Sequence, residues 1–282
     1  MKSTTPYRST SESQTSFVSG QGLVTCRFSV GSLAGRHSVL NQDSYACRAP
    51  DFFAVADGVG GGCFGEIASS MLVSQLSALH TPQPDQIAQA LTEADTAIAQ
   101  RIAQEGQGPG AAVCAAVWCI DATSFSWLAM TVGDCQVMVL ASHGGDWHIR
   151  WSSPLQTYAA YDLQPPTKVS IHAPANMVGC GMSLPAQFHP ITLVPGERLL
   201  LCSDGFHQVF SEQALEKLLC DSVFPLTKDT AQHWCHLAQQ AGAQDDVTVI
   251  MVEPVVNVSV LWHRWVWATV GLAVVCFVFW EW

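Results

Sequence analysis

The sequence predicts an α+β domain in which antiparallel sheets pack against helices. Three observations carry this reading. Strand-like runs outnumber helical blocks and do not alternate with them, which argues against a doubly wound parallel sheet. The 282-residue chain is 49% hydrophobic and 12% charged, enough apolar material for a sizeable core and too little charge for a disordered chain. No repeat of fixed period is visible, and the length suggests one or two domains.

The elements follow in order. Residues 1–21 hold ten Ser or Thr and no apolar run, which predicts a flexible tail and no signal peptide. Residues 22–254 form the domain. Strand-like runs lie at 23–30, 52–56, 112–120, 126–132, 135–140, 148–152, 190–194, 198–202 and 247–252. Helices are expected at 65–79 and 85–103; in the second, Ile87, Leu91, Ala94, Ile98 and Ile102 recur at helical spacing, and Pro84 precedes it. Two more are expected at 211–220 and 227–240. Residues 255–261 read as a linker.

Residues 262–282 differ from everything before them. Trp265 to Trp280 carry no formal charge, and 262–282 as a helix would span about 31 Å, enough for a hydrocarbon core. Tryptophans gather at both ends (Trp262, Trp265, Trp267; Trp280, Trp282), the pattern of an aromatic belt. The expectation is one C-terminal transmembrane helix. Arg264 then lies on the cytoplasmic side and the domain sits in the cytoplasm, tethered to the inner (cytoplasmic) membrane.

Charge and cysteine usage exclude other classes. The net charge of −11 leaves no basic patch for phosphate backbones, so no nucleic-acid partner is expected. Eleven cysteines, an odd number without a C-x-x-C pair and mostly in apolar runs, read as buried reduced thiols.

Aspartates carry the chemistry. Asp57, Asp134 and Asp204 each follow an apolar strand, and Asp245 and Asp246 precede one. In an antiparallel sheet the end of one strand and the start of its neighbour share an edge, so these residues can converge on one rim. Crowded carboxylates need a cation, and oxygen ligands without His or Cys select Mg²⁺ or Mn²⁺.

The strings NQDS (41–44), FAVADGVGGGCFGEIAS (53–69), TVGD (131–134), GERLLLCSDGF (196–206) and QDDVTVI (244–250) resemble, in order and spacing, the motifs of the metal-dependent Ser/Thr protein phosphatases of the 2C type, the PPM family. The resemblance implies a four-layer α-β-β-α sandwich: two antiparallel sheets flanked by helical pairs, with the metals at one end. It also implies roles. Asp57 bridges two Mn²⁺ or Mg²⁺ ions and Gly58 offers its carbonyl to one. Asp204 and Asp245 hold the other. Asp134, with Asp204, suits a third ion, and Asp43 orders metal-bound water. Catalysis would rest on Asp57, Asp204 and Asp245, with metal-activated water as nucleophile. Phosphorylated proteins are the implied substrates and a Ser/Thr kinase the implied partner.

The chain departs from the family pattern around the substrate entrance. Ser38 stands where an Arg normally grips phosphate, which leaves Arg36 as the expected substitute. Gly110–Ala112 read GAA for the usual GTT, Cys135-Gln136 replace Ser-Arg, and GCGM (179–182) replaces R-A-L-G. His37, His172, His189 and His207 are candidates for a leaving-group acid, and no spacing selects one. A second reading follows from the same losses: a phosphatase-like binding or scaffold domain at the membrane.

Overall fold

The computed structural model describes residues 17–18, 24–36, 38–59, 64–105, 110–122, 124–222 and 226–256. Its elements are β1 (Phe17–Val18), β2 (Val24–Leu33), β3 (Ser44–Arg48), β4 (Phe52–Val59), α1 (Gly65–Ser77), α2 (Pro84–Glu105), β5 (Ala111–Asp121), β6 (Ser126–Val132), β7 (Gln136–His143), β8 (Asp146–Ser152), β9 (Gln187–Thr192), β10 (Arg198–Cys202), α3 (Asp204–His207), α4 (Glu212–Ser222), α5 (Thr230–Ala241) and β11 (Val247–Val256). Two sheets form, in strand orders β1-β2-β11-β10-β7-β8 and β3-β4-β5-β6-β9. Neighbouring strands pair antiparallel throughout, as between β10 and β11 and between β4 and β5.

Binary patterning explains the layers. The central strands are apolar on both faces because both faces are covered. In β4, Phe52, Ala54 and Ala56 join α1 and α2, whereas Phe53 and Val55 face the other sheet. Small side chains on the helix-facing side let α1 lie close across β3, β4 and β5. The inter-sheet core runs through Phe28, Phe53 and Trp127, with ring centroids 5.3 and 6.3 Å apart. On the opposite outer face, Trp234 of α5 stacks on Phe206 of α3 at 5.8 Å and 4°. The order is helices, sheet, sheet, helices.

The structure differs from the sequence reading in detail. Phe17 and Val18, assigned to the tail, pair with Arg27 and Cys26 as a two-residue edge strand. Strand β3 is absent from the expected runs because SYACR shows no alternation and all five residues are half-buried. The run expected at 190–194 lies at 187–192; it is an edge strand, where Pro190 is tolerated. Residues 255 and 256, assigned to the linker, continue β11. The expected transmembrane helix at 262–282 lies outside the described residues. Among the described residues no helix is long and apolar enough to cross a membrane.

Candidate metal centre

Four strand ends meet at one pole of the sandwich. Asp57 lies near the end of β4. Asp134 sits in the β6–β7 turn, Asp204 follows β10, and Asp245 precedes β11. All four line one cleft of about 410 Å³, together with Gly58, Gln42, Gln208 and His172. The antiparallel pairing of β10 with both β7 and β11 brings Asp134, Asp204 and Asp245 to the same edge. β4, in the other sheet, delivers Asp57 to meet them.

Close backbone packing explains Gly58 and Gly65 of the DGVGG-x-x-x-GE string. A Cβ on Gly58 would collide with the backbone of Gly65, and a Cβ on Gly65 would lie 2.5 Å from the Gly58 carbonyl oxygen. The two glycines seat the start of α1 directly against the end of β4. Gly133 is required for a second reason: its φ of +83° turns β6 toward Asp134.

Electrostatically the cleft is anionic. Burial, then the charges of Asp43 and Asp204, raise the Asp57 carboxyl well above its usual range. Burial and Asp246 do the same to Asp43. Asp134 is pushed up to about 8 by burial and Asp204. Asp204 is pushed up to about 6 by burial and Asp245, although a hydrogen bond with Asp57 pulls the other way. Among the described residues lining the cleft there is no Lys or Arg. Two carboxylate oxygens, Asp43 Oδ1 and Asp204 Oδ1, are buried without a hydrogen-bond partner.

These observations fit divalent cations with oxygen ligands. Orphaned carboxylate oxygens and mutual repulsion are both relieved by a positive ion. Among the described residues no three Asp, Glu, His or Cys side chains are grouped closely enough to hold a metal ion by themselves. An open set of few carboxylates and a carbonyl suits Mg²⁺ or Mn²⁺ with retained waters. The Cys135 thiol is held protonated by burial and by the charges of Asp57 and Asp134.

The other expected site residues divide. Asp43 is buried behind the cleft and accepts a hydrogen bond at Oδ2 from Ser203 Oγ, 2.7 Å. Arg36 does not reach the cleft: its guanidinium donates to the Gln239 carbonyl at 2.9 Å, at the C-terminal end of α5, where the helix dipole favours a cation. Of the candidate histidines, His37 lies outside the described residues. His189 lies within β9, packed on Trp151. His207 Nε2 donates to the Asp134 carbonyl at 2.8 Å and is held neutral by burial. Only His172 lines the cleft.

The comparisons with known proteins agree with this geometry. A profile of the family "Protein phosphatase 2C" matches residues 30–240. The chain belongs to the protein phosphatase 2C family. The serine/threonine protein phosphatase PstP of Mycobacterium tuberculosis is 24% identical over 239 residues, covering 81% of this chain and 45% of that protein. The chain thus spans about half the length of the curated relatives it matches. A solved PstP catalytic domain in complex with two manganese ions superposes with a TM-score of 0.67 at 22% identity, covering 82% of this chain and 99% of that one. PppA of Pseudomonas aeruginosa, described as a key regulatory component of its type VI secretion system, superposes with a TM-score of 0.65 at 22% identity over 82% of this chain and 98% of that one.

Within this phosphatase 2C domain, sequence reasoning missed the groups that hold the aspartates in place. Asp246 is buried and accepts the backbone N–H of Gly35 at 2.6 Å and of Gln42 at 2.5 Å, tying the β2–β3 loop to the start of β11. In the pair, Asp245 therefore faces the cleft and Asp246 supports the loop. Gln156 is fully buried, accepts the Gly133 N–H at 3.0 Å and returns its own N–H to the Gly133 carbonyl at 2.7 Å. Asn176 donates to Gln156 Oε1 at 2.9 Å and accepts from the backbone of Ser183 and Leu184. Together they anchor the Asp134 turn to the base of the arm that runs over residues 157–174. An isolated Gln or Asn carries no sequence signal of such a role.

Two outcomes are expected in EDTA. The carboxyl pKa values are higher in the folded than in the unfolded protein, so the folded state binds more protons. Stability is then greatest below the unfolded carboxylate range near pH 4 and declines as pH rises toward about 8, the Asp134 value. Urea midpoints measured across that window should fall with pH, and a rising midpoint would contradict the crowding. Second, substitutions in the adjacent pair should act with opposite sign. Asp246→Asn removes a charged acceptor of two backbone amides and should cost about 1.5–3 kcal/mol. Asp245→Asn relieves repulsion and should raise the midpoint. Equal signs in urea titrations would contradict the division of roles.

Proposed function

We propose that this chain is a Mn²⁺- or Mg²⁺-dependent phosphoprotein phosphatase that hydrolyses phosphoserine and phosphothreonine on proteins. One observation carries this reading: in a phosphatase 2C fold, Asp57, Asp134, Asp204 and Asp245 arrive from four strand ends on a single cleft without a basic neighbour. Asp57 and the Gly58 carbonyl would hold one ion, Asp57, Asp204 and Asp245 a second, and Asp134 with Asp204 a third. When bound, the ions lower the pKa of water between them and offset the charge on the phosphate oxygens.

The chain's own residues do the rest. Asp43, held by Ser203 at Oδ2, keeps a second buried oxygen, Oδ1, without a hydrogen-bond partner, an acceptor suited to an ordered water. Gln42 and Gln208 place hydrogen-bonding side chains on the wall, and Gln208 Nε2 orients Asp204 by donating to Oδ2 at 2.9 Å. No cysteine lines the cleft among the described residues, and Cys135 stays protonated, so the chemistry calls for no thiol nucleophile. A Ser/Thr kinase acting on the same proteins would supply the substrate.

One observation favours a second reading, a metal-binding scaffold. Arg36 is engaged at the end of α5, so no guanidinium is at hand to grip phosphate. Phosphate release from a phosphothreonine peptide by the full chain decides between them. Release is expected with Mn²⁺, none in EDTA, and a loss of at least about a hundredfold in Asp57→Asn. A folded protein that binds Mn²⁺ and releases nothing from peptide or p-nitrophenyl phosphate would leave only the scaffold.

We also propose that residues 262–282 tether the domain to the inner membrane. The support is the uncharged tryptophan-flanked run, together with the direction of β11. This ten-residue strand starts two residues after Asp245 and ends at Val256, so its end lies about 30 Å from the cleft, toward the opposite pole. The cleft would then open away from the membrane. Carbonate washing of cell membranes should retain the full chain and release one ending at residue 256. Release of both would end the tether reading.

A further inference from the structure

The surface around the cleft is apolar where a phosphate-binding enzyme would be expected to be basic. Among the described residues eight large apolar or aromatic side chains are exposed. Six of them, Val39, Leu40, Tyr161, Leu163, Val169 and Ile171, belong to the two segments that border the cleft. The other two, Ile120 and Val194, lie at the ends of β5 and β9, away from the carboxylate pole. Val39 and Leu40 precede Gln42 on the cleft wall. Val169 and Ile171 are interleaved with Ser170 and His172, which also line it.

The arm that carries most of these side chains is built, not loose. Thr157 pairs with Pro174, the Tyr158 N–H reaches the Ala173 carbonyl at 3.2 Å, and the Ala159 N–H reaches the Ile171 carbonyl at 2.7 Å. Gln187 Nε2 donates to the Tyr161 hydroxyl at 2.9 Å. Gln156 and Asn176 lock its base. An ordered arm pays little entropy on binding, and exposed apolar residues concentrated in one place mark an interaction surface.

We propose that the arm and the 39–40 loop form a docking surface, continuous with the cleft, for phosphorylated protein segments carrying aliphatic residues beside the phosphoresidue. This rests on the phosphatase reading above and names its substrate class. Charge argues in the same direction. The arm's only formal charges, Asp162 and Lys168, offset one another, so acidic flanks find no net positive partner on it, whereas aliphatic flanks find Leu163, Val169 and Ile171. A lipid surface is disfavoured as the occupant, because β11 carries the chain toward the opposite pole.

The test uses the full chain in mild detergent with Mn²⁺ and three phosphothreonine peptides identical except for leucine, serine or glutamate on both flanks. Wild type should show a KM about tenfold lower for the leucine peptide than for the glutamate peptide. Val169→Ser/Ile171→Ser should raise the leucine-peptide KM about tenfold at unchanged kcat and abolish the preference. Ile120→Ser, at the far pole, should change neither. Anisotropy of labelled peptides reads docking without turnover. Flank-selective binding with no phosphate release would therefore sink the phosphatase reading and leave the docking surface standing. Absence of flank preference in both assays, or a preference that survives the double substitution, would overturn it. So would a dimer in sedimentation velocity that the double substitution dissociates, which would assign the surface to a second copy.

Discussion

Mutual repulsion among Asp43, Asp57, Asp134 and Asp204 is the constraint on which the rest of this structure depends. Carboxylates buried this close raise one another's pKa, and without a cation they weaken the fold they sit in. Such a cluster persists only if the surrounding scaffold is strong enough to impose it. Here the scaffold is a pair of sheets whose central strands are buried on both faces, and the ends of β4, β6 and β10 and the start of β11 deliver the aspartates of the cleft.

A ring of supporting groups turns that crowding into a defined geometry. Asp246 binds two backbone amides of the β2–β3 loop, Ser203 holds Asp43, His207 holds the Asp134 carbonyl, and Gln156 with Asn176 fixes the turn before Asp134. None of these groups needs to touch substrate. They keep the carboxylates from relaxing apart, which is the arrangement that favours a cation over a proton.

The two poles of the sandwich are separated in role as well as in space. Carboxylates, arm and apolar rim share one end. β11 runs from that end to the other and ends at Val256. With Ser38 on the loop and Arg36 engaged at the end of α5, the cleft lining among the described residues holds no guanidinium.

By itself the sequence determined the layered α+β class, the long strands and helices, and the aspartates that line the cleft. Apolar runs and Asp-Gly strand ends are local patterns, and antiparallel pairing forces those ends together. Tertiary structure alone decided the remainder. β3 forms because Ser44 to Arg48 pair with β4, not because of their own pattern. Asp245 and Asp246 are adjacent and chemically identical, yet one faces the cleft and the other binds Gly35 and Gln42. Arg36 could have pointed to either destination, and the carbonyl end of α5, 200 residues away in sequence, took it. Such choices depend on long-range partners, which no window of neighbouring residues contains.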